Sequence, residues 1–371
     1  MEEVSFARGV PAPELLPVDE IAACTRAVVE RESATLLSYG SPSGYEPLRR
    51  LLAERHSVEP DRVLLTNGSL QALALVTVHA LAGGCRRVLV EAPTYDRPLR
   101  LLARLGAELA PVPLDEEGLD PDAVESELAH GPAAFLYTIP TFQNPTGATL
   151  SLARRIRLAD LARRNRLLVV EDDPYGAVRL EGEPVPTIFE LLEGDGVVYC
   201  SSYSKTVAPG LRVGYVVVPP ELASPLSELA AWTYVSPVTL TQAVVYELER
   251  RGLVEPALRR MRGLLLARRD AMLASLDKRF AGAARWTRPQ GGYFLWLELP
   301  AEDARQLLVE AAAAGVSFVP GADFYAAAGR ADTLRLAYSL ASPLAIEVGI
   351  DRLAALLRRR RRGRSLLREA G

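Results

Sequence analysis

Hydrophobic and polar positions form two alternating patterns over most of the chain. Short apolar runs predict buried strands, at Val63–Thr66, Val88–Glu91, Ala133–Ile139, Leu167–Glu171, Val197–Ser201 and Arg212–Val218. Helical periodicity lies between most of these runs, over Ser69–Leu81, Arg97–Leu105, Pro121–His130 and Leu152–Arg164. Alternating strands and helices are typical of a mainly parallel sheet covered by helices. We therefore expect an α/β fold.

The pattern changes towards both ends of the chain. Residues 1–35 are proline-rich before a helix that begins at Val18, and a second helix is predicted over Glu46–His56. After residue 220, helices are predicted over Glu221–Trp232, Thr239–Arg251 and Pro256–Phe280. Strands then return with shorter helices, at Arg285–Arg288, Gly292–Leu299, Val316–Val319 and Leu334–Ser339. We expect an N-terminal arm (1–35) that joins the small domain, a large domain (36–255) and a small α+β domain (256–371).

Composition and charge narrow the class of protein. The chain has 371 residues and a net charge of −3, which gives no overall basic field for nucleic acid. Its apolar runs are too short to span a membrane, and its first residues do not resemble a signal peptide. The three cysteines are unclustered, which argues against a disulfide framework or a metal site. We expect a cytoplasmic protein.

The basic run Arg358–Arg362 has two interpretations. It suits a nucleic-acid patch, but positive charge also suits the solvated C-terminal end of a helix, because it complements the helix dipole. We favour the helix end and expect no nucleic-acid partner.

Polar and small residues follow the predicted strands one after another. They include Asn67-Gly68-Ser69, Tyr95, Asn144 and the pair Asp172 and Tyr175. Each is ordinary by itself, since turns are polar and Ser69 suits a helix cap. In open parallel sheets, however, ligands bind at the carboxyl ends of the strands. The shared position of these residues therefore favours a single ligand site.

Lys205 lies in the loop after the strand Val197–Ser201. The chain contains 43 lysines and arginines, of which only Lys205 and Lys278 are lysines. Arginine stays protonated, whereas a buried lysine can lose its proton and attack a carbonyl carbon. A solvated surface lysine is the alternative interpretation.

Together these groups suit pyridoxal 5′-phosphate, which needs a Schiff-base lysine, a carboxylate on the pyridine nitrogen and an anion site. Lys205 and Asp172 are the candidates for the first two. Tyr175 and Asn144 can hydrogen-bond the phenolic oxygen of the ring, and Tyr95 can stack on its face. The candidate phosphate ligands are hydroxyls and one arginine, namely Ser69, Ser202, Ser204 and Arg212.

Nearly the whole chain resembles the fold-type I pyridoxal-phosphate-dependent aminotransferases of class I/II. The resemblance is strongest to the subgroup of 2-aminoadipate and kynurenine aminotransferases. It rests on an ordered set of motifs, which includes Asn67-Gly68-Ser69, Glu91-Ala92-Pro93-Thr94-Tyr95, Phe142-Gln143-Asn144-Pro145-Thr146-Gly147, Glu171-Asp172-Asp173-Pro174-Tyr175, Ser202-Tyr203-Ser204-Lys205, Pro209-Gly210-Leu211-Arg212 and Leu334-Arg335-Leu336.

The resemblance implies a ping-pong transfer of an amino group between an α-amino acid and a 2-oxo acid, with Lys205 moving the proton. It further implies a homodimer in which Tyr39 reaches the phosphate of the neighbouring subunit. Arg335, with Asn144, would hold the substrate α-carboxylate, and Gly9 would line the substrate entrance. The alternation of side chains along the predicted strand, taken alone, would instead place Arg335 on the protein surface.

The chain departs from the family pattern in three places. Leu70 replaces a glutamine of the phosphate loop, so this position offers only its backbone N–H. Arg8 replaces a glycine, which adds positive charge at the substrate entrance. Relatives of the subgroup begin with an additional helix that closes on the substrate, and we expect this chain to lack it. Asp96, Tyr234 and Tyr293 are further candidates for shaping the pocket.

Two other functions are compatible with these residues. The same scaffold supports β-elimination at sulfur-bearing substrates, decarboxylation and racemisation, because a fold does not determine the reaction. Some transcription regulators also carry an aminotransferase-like domain that senses the cofactor. We expect no N-terminal DNA-binding domain in this chain, which argues against a regulator.

Overall fold

The protein is built around one large sheet. The computed structural model describes residues 3–369, and their side chains as far as Arg361. Eight strands form the large sheet. They are β2 (Val63–Thr66), β3 (Arg87–Ala92), β4 (Glu108–Asp115), β5 (Gly118–Leu119), β6 (Phe135–Thr138), β7 (Val169–Asp172), β8 (Val197–Ser202) and β9 (Gly214–Val217). Their order is β2-β9-β8-β7-β6-β3-β4-β5. The five strands from β8 to β4 are parallel, which confirms the expected α/β fold.

Nine α-helices in the first two thirds of the chain cover this sheet. They are α1 (Val18–Leu36), α2 (Glu46–His56), α3 (Ser69–Ala82), α4 (Asp96–Arg104), α5 (Pro121–Ala129), α6 (Leu152–Asn165), α7 (Ile188–Leu191), α8 (Pro220–Tyr234) and α9 (Thr239–Arg250). Successive strand side chains enter opposite cores. Leu136 and Val169 face one core with α2, α6 and α9, while Phe135 and Val170 face another with α3, α4 and α8. Burial on both faces explains why these strands are continuous apolar runs.

A smaller unit completes the fold. Its four-stranded antiparallel sheet has the order β10-β11-β14-β13 and contains β10 (Arg285–Trp286), β11 (Phe294–Glu298), β13 (Val319–Pro320) and β14 (Thr333–Ala337). The N-terminal β1 (Val4–Ser5) pairs with β12 (Val316–Ser317) beside it. The accompanying helices are α10 (Val254–Phe280), α11 (Ala304–Ala313) and α12 (Pro343–Glu369).

Several sequence predictions of single elements were wrong. Strand β4 was missed because Pro111 and Pro113 interrupt its apolar pattern, as is typical of strands near a sheet edge. The run Val316–Val319 is two strands with different partners rather than one. The basic run lies within α12, which continues to Glu369, so it is not the end of the helix. There Arg360 donates to Glu302, and the side chain of Arg362 lies outside the described residues.

The sheet brings the predicted site together at one edge. Strands β3, β6, β7 and β8 are parallel, so their carboxyl ends meet there. Strand β9 is antiparallel and pairs Gly214 with Ser202, which places the preceding Arg212 at the same edge. Among the helices of residues 3–369, none is both long and apolar enough to cross a membrane.

Candidate active site

A cavity of about 400 Å³ opens at this edge of the large sheet. All the predicted site residues except Tyr39 line this cavity. They are Arg8, Gly9, Ser69, Leu70, Tyr95, Asn144, Asp172, Tyr175, Ser202, Ser204, Lys205, Arg212 and Arg335. Tyr39 is 88% exposed and lies outside the lining. Of the three further candidates, Asp96 lines the cavity, whereas Tyr234 and Tyr293 do not.

Lys205 points its amine into the cavity from the loop between β8 and β9. Its Nζ donates a hydrogen bond to the carbonyl oxygen of Gly9 at 2.6 Å. The Tyr293 hydroxyl donates to the Lys205 carbonyl oxygen at 2.7 Å and so holds the backbone of Lys205 in place. Burial, aided by the positive charges of Arg335 and Arg212, lowers the pKa of Lys205 to about 8. A useful fraction of the amine is therefore neutral near pH 7 to 8.

Asp172 is the last residue of β7 and is buried. The Tyr137 hydroxyl donates to its Oδ2 at 2.7 Å. Its Oδ1 is buried and has no partner within the described part of the chain. Burial, with the charges of Asp173 and Glu91, raises the pKa of Asp172 to about 7. A buried carboxylate oxygen without a donor is costly, and a protonated pyridine nitrogen would supply that donor.

A cradle of potential anion ligands lies between α3 and the loop before β9. Gly68 precedes α3 with a φ of 101°, and no side chain caps this helix, so the N–H groups of Ser69 and Leu70 can bind an anion. Arg212 packs against this turn, because a Cβ on Gly68 would lie 2.3 Å from Arg212 Nη2. That Nη2 donates to the Asn67 carbonyl oxygen at 2.8 Å, while Nη1 lies 3.4 Å from Ser204 Oγ. These groups fit the phosphate of the cofactor.

Arg335 in β14 lies on the other side of the cavity and is buried. Its guanidinium lies between the rings of Phe294 and Phe324, 4.1 and 4.9 Å from their centroids. Nη1 donates to Asn144 Oδ1 at 2.9 Å and Nη2 to the Ala7 carbonyl oxygen at 2.7 Å. Burial lowers the pKa of Arg335 to about 10. The surface position suggested by alternation was wrong, because β14 is an inner strand covered on both faces.

Sequence reasoning missed the residues that support this site. Tyr137 could have been found from its place in the strand beside β7. Glu91 is buried and accepts from Thr138 Oγ1 at 2.6 Å and Gln143 Nε2 at 2.8 Å, which ties β3 to the loop that carries Asn144. The contacts of Phe294 and Phe324 with Arg335 were not predicted, because they depend on where Arg335 lies in the folded chain.

The fold and this cavity define a pyridoxal-phosphate enzyme. The chain belongs to the aminotransferase class I and II family, whose model matches residues 10–353. It is 39% identical to the 2-aminoadipate transaminase of Thermus thermophilus, over 96% of this chain and 90% of that protein. It is 35% identical to aromatic-amino-acid aminotransferase 1 of Thermococcus litoralis, over 96% and 88% of the two chains.

A solved structure agrees with these relatives. The α-aminoadipate aminotransferase of Thermus thermophilus, complexed with N-(5′-phosphopyridoxyl)-L-leucine, is 38% identical with a TM-score of 0.90, covering 96% of this chain and 92% of that one. The protein is accordingly a pyridoxal-phosphate-dependent aminotransferase, which moves an amino group between an α-amino acid and a 2-oxo acid.

Proposed function

We propose that Lys205 is both the covalent anchor of the cofactor and the base that moves the substrate proton. The observation that carries this proposal is the pairing, in one cavity, of an amine of lowered pKa with the free Oδ1 of Asp172. When bound, the cofactor supplies an electron sink for negative charge at the substrate Cα. Lys205 Nζ would take the proton from the substrate Cα and would deliver it to C4′ of the cofactor, since general bases work best near the operating pH.

The other residues hold and orient the reactants. Asp172 would keep the pyridine nitrogen protonated, and Tyr137 would hold its carboxylate in place. Asn144 uses its Oδ1 on Arg335, which leaves its amide N–H groups for the ring oxygen or the substrate. Tyr175, whose ring centroid lies 5.8 Å from Lys205 Nζ, would donate to the same ring oxygen. Tyr95 would stack on the ring, with its backbone held at the start of α4.

The phosphate would bind in the cradle at the start of α3. The Arg212 guanidinium would bind it with charge-assisted hydrogen bonds, and Leu70 would offer a backbone N–H group. The hydroxyls would come from Ser69, Ser202 and Ser204.

Arg335 would bind the substrate α-carboxylate through its paired N–H groups, since guanidinium matches carboxylate geometry. Its stacking on Phe294 and Phe324 fixes the plane of the guanidinium before substrate arrives. Substrate would replace the Ala7 carbonyl as the partner of Nη2.

The active unit would be a homodimer in which Tyr39 completes the neighbouring site. Exposed apolar side chains support this interface, among them Leu37 (70%), Tyr39 (88%) and Trp232 (89%). The loop of Tyr39 adjoins the phosphate cradle, because Gly40 N donates to Ser236 Oγ and Val238 N to Asn67 Oδ1, both at 3.2 Å. Mixing inactive Lys205→Ala and Tyr39→Ala subunits should restore activity if the sites are shared.

The three-part division of the chain also stands as a proposal. The eight strands of the large sheet lie within residues 36–255, and the four-stranded sheet lies within residues 256–371. The arm, 1–35, would contribute β1 to the smaller unit, where it pairs with β12, whereas α1 packs on the core of the large sheet. Limited proteolysis tests this division. If the protease cut within β3 or β6 earlier than at the ends of α10, the division would be contradicted.

Single-turnover chemistry tests the reaction. Cofactor-loaded protein mixed with an amino donor alone should form one 2-oxo acid per site, and addition of a second 2-oxo acid should start steady turnover with parallel-line kinetics. Lys205→Ala should form no 2-oxo acid. Release of ammonia, carbon dioxide or the D-amino acid as the main product would instead indicate elimination, decarboxylation or racemisation.

A further inference from the structure

The loop 139–151 between β6 and α6 carries Asn144 into the cavity on a strained backbone. Phe142 has a φ of 51°, in the left-handed region, which is unfavourable for a residue with a large side chain. Such a conformation persists only where the surrounding structure fixes the backbone. The position of the loop matters to the site, because Asn144 Oδ1 accepts from Arg335 Nη1 at 2.9 Å.

Glu91 in β3 is buried beneath this loop and accepts four hydrogen bonds. Its Oε1 accepts from Thr138 Oγ1 at 2.6 Å and from Ile139 N at 3.0 Å. Its Oε2 accepts from Gln143 Nε2 at 2.8 Å and from Thr94 Oγ1 at 3.3 Å. Burial raises the pKa of Glu91, and these donors oppose that rise. An ionised carboxylate matches four donors because it only accepts.

Gln143 connects Glu91 to Asn144. Its Nε2 donates to the Pro93 carbonyl oxygen at 2.8 Å as well as to Glu91. Its Oε1 accepts from the backbone N and the Oγ1 of Thr146, at 2.9 and 2.8 Å. Both donor hydrogens and both acceptor positions of this amide are therefore used. Since Gln143 precedes Asn144 and Thr146 follows it, these bonds hold the backbone of Asn144 from both sides.

We propose that Glu91 is a positioning residue for amino transfer, which acts through Gln143 to hold the Asn144 amide against Arg335 and the ring oxygen of the cofactor. The inference rests on the proposed role of Asn144 in the site. Glu91 and Gln143 are buried and do not line the cavity, so they do not contact the reactants. Their influence on the reaction must pass through the loop.

Glu91→Gln breaks this connection with little change of shape. The backbone N–H of Ile139 cannot turn away, so the new oxygen should stay there and the new amide should face Gln143 Nε2, donor against donor. We expect kcat/KM for an amino donor to fall roughly 10-fold, because a small displacement of Asn144 disturbs the alignment of the reactants. Glu247→Gln is the control. Glu247 is a buried carboxylate on α9 that pairs with arginines and does not line the cavity, so its loss should leave kcat/KM at the wild-type level.

The same substitution in an Asn144→Ala background separates positioning from general damage. Asn144→Ala should lower kcat/KM by itself, and Glu91→Gln should then cost less than about 2-fold more, because residues that act through one contact are not additive. Lost charge or lost stability would act in both backgrounds, so an equal cost of Glu91→Gln in the two would overturn the proposal. Wild-type kinetics in Asn144→Ala would instead overturn the proposed role of Asn144.

Gln143→Met breaks the connection from the other side without changing any charge, and it remains available if Glu91→Gln does not fold. Two readouts need no turnover. Butyrate, a carboxylate without a reactive amino group, should bind the cofactor-loaded variant roughly 3- to 10-fold more weakly, because Arg335 loses its fixed partner. The pH midpoint of the visible cofactor absorbance should rise by about 0.5 to 1 unit, because the anionic ring oxygen loses an amide donor. Wild-type values of both would overturn the proposal and leave amino transfer intact.

Discussion

The cofactor end and the substrate end of the cavity are constructed differently. At the cofactor end, Asp172 and Ser202 stand at the carboxyl ends of the neighbouring strands β7 and β8, and Ser69 follows β2 of the same sheet. Backbone hydrogen bonds within the sheet fix the spacing of these strand ends. At the substrate end, Arg335 comes from the small sheet, and residues 7–9 form a strap across the cavity. The carbonyl oxygens of Ala7 and Gly9 in this strap accept from Arg335 and Lys205. Single hydrogen bonds to strap carbonyls join these distant parts. The cofactor end is therefore rigid by topology, whereas the substrate end depends on a few side-chain contacts.

The largest effect should come from breaking the cofactor end at Asp172. Asp172→Asn keeps an acceptor for Tyr137 but places an uncharged amide beside the pyridine nitrogen. Turnover should fall roughly 10²- to 10³-fold with every donor, because charge stabilisation is lost from a buried site. Steady-state kinetics with acidic and apolar donors measures this, and Tyr137→Phe, which leaves the carboxylate, should cost less. A loss confined to one class of donor would contradict the assignment of Asp172 to the cofactor.

Breaking the substrate end at Arg335 should have a smaller and different effect. Arg335→Gln should lower kcat/KM roughly 100-fold, mainly through KM, because a paired guanidinium–carboxylate contact is lost. Bound cofactor, measured by its visible absorbance, should stay at the wild-type level. Arg335→Lys retains the charge without the paired geometry and should lie between the two. Loss of cofactor from Arg335→Gln would show that the two ends are not separate.

A milder change to the substrate end acts through packing alone. In Gly9→Ala the new Cβ would lie 2.1 Å from Phe294 Cζ, so the ring that supports Arg335 must move. We expect kcat/KM to fall roughly 10-fold with cofactor affinity retained. Gly263→Ala is the control, because an added Cβ there meets nothing within 4 Å. Equal kinetics for Gly9→Ala and Gly263→Ala would rule out a fixed strap.

The smallest effect should reveal electrostatic coupling between the two ends. The Lys205 amine must be neutral to attack the cofactor aldehyde, and its pKa is lowered to about 8 by burial and by the charges of Arg335 and Arg212. Covalent attachment to cofactor-free protein should therefore speed up roughly fourfold from pH 7.5 to 9 and then level off. In Arg335→Gln the midpoint should move to higher pH, because one positive neighbour is gone. Stopped-flow absorbance across pH measures both, and a pH-independent rate would contradict the lowered pKa.

The same contrast explains what the sequence could predict. Asp172, Ser202 and Lys205 were predictable because apolar runs locate the strands, and the strand ends then locate the ligand edge. The burial of Arg335 was not predictable from alternation, because β14 is covered on both faces only in the folded chain. The strap was equally hidden, since its contacts to Lys205 and Arg335 join residues 196 and 328 positions apart. Tyr39 stays a prediction, because its proposed partner is a second copy of the chain.

Lys205 is proposed to carry the cofactor, and the presence of only two lysines in this chain allows a direct test. Lys205 lies in the cavity and Lys278 is exposed on α10. Cofactor-loaded protein is reduced with borohydride, digested and analysed by mass spectrometry. We predict the phosphopyridoxyl group on Lys205 and none on Lys278, and its loss when an amino donor is added before reduction. A label on Lys278, or active protein with no label on Lys205, would contradict the account.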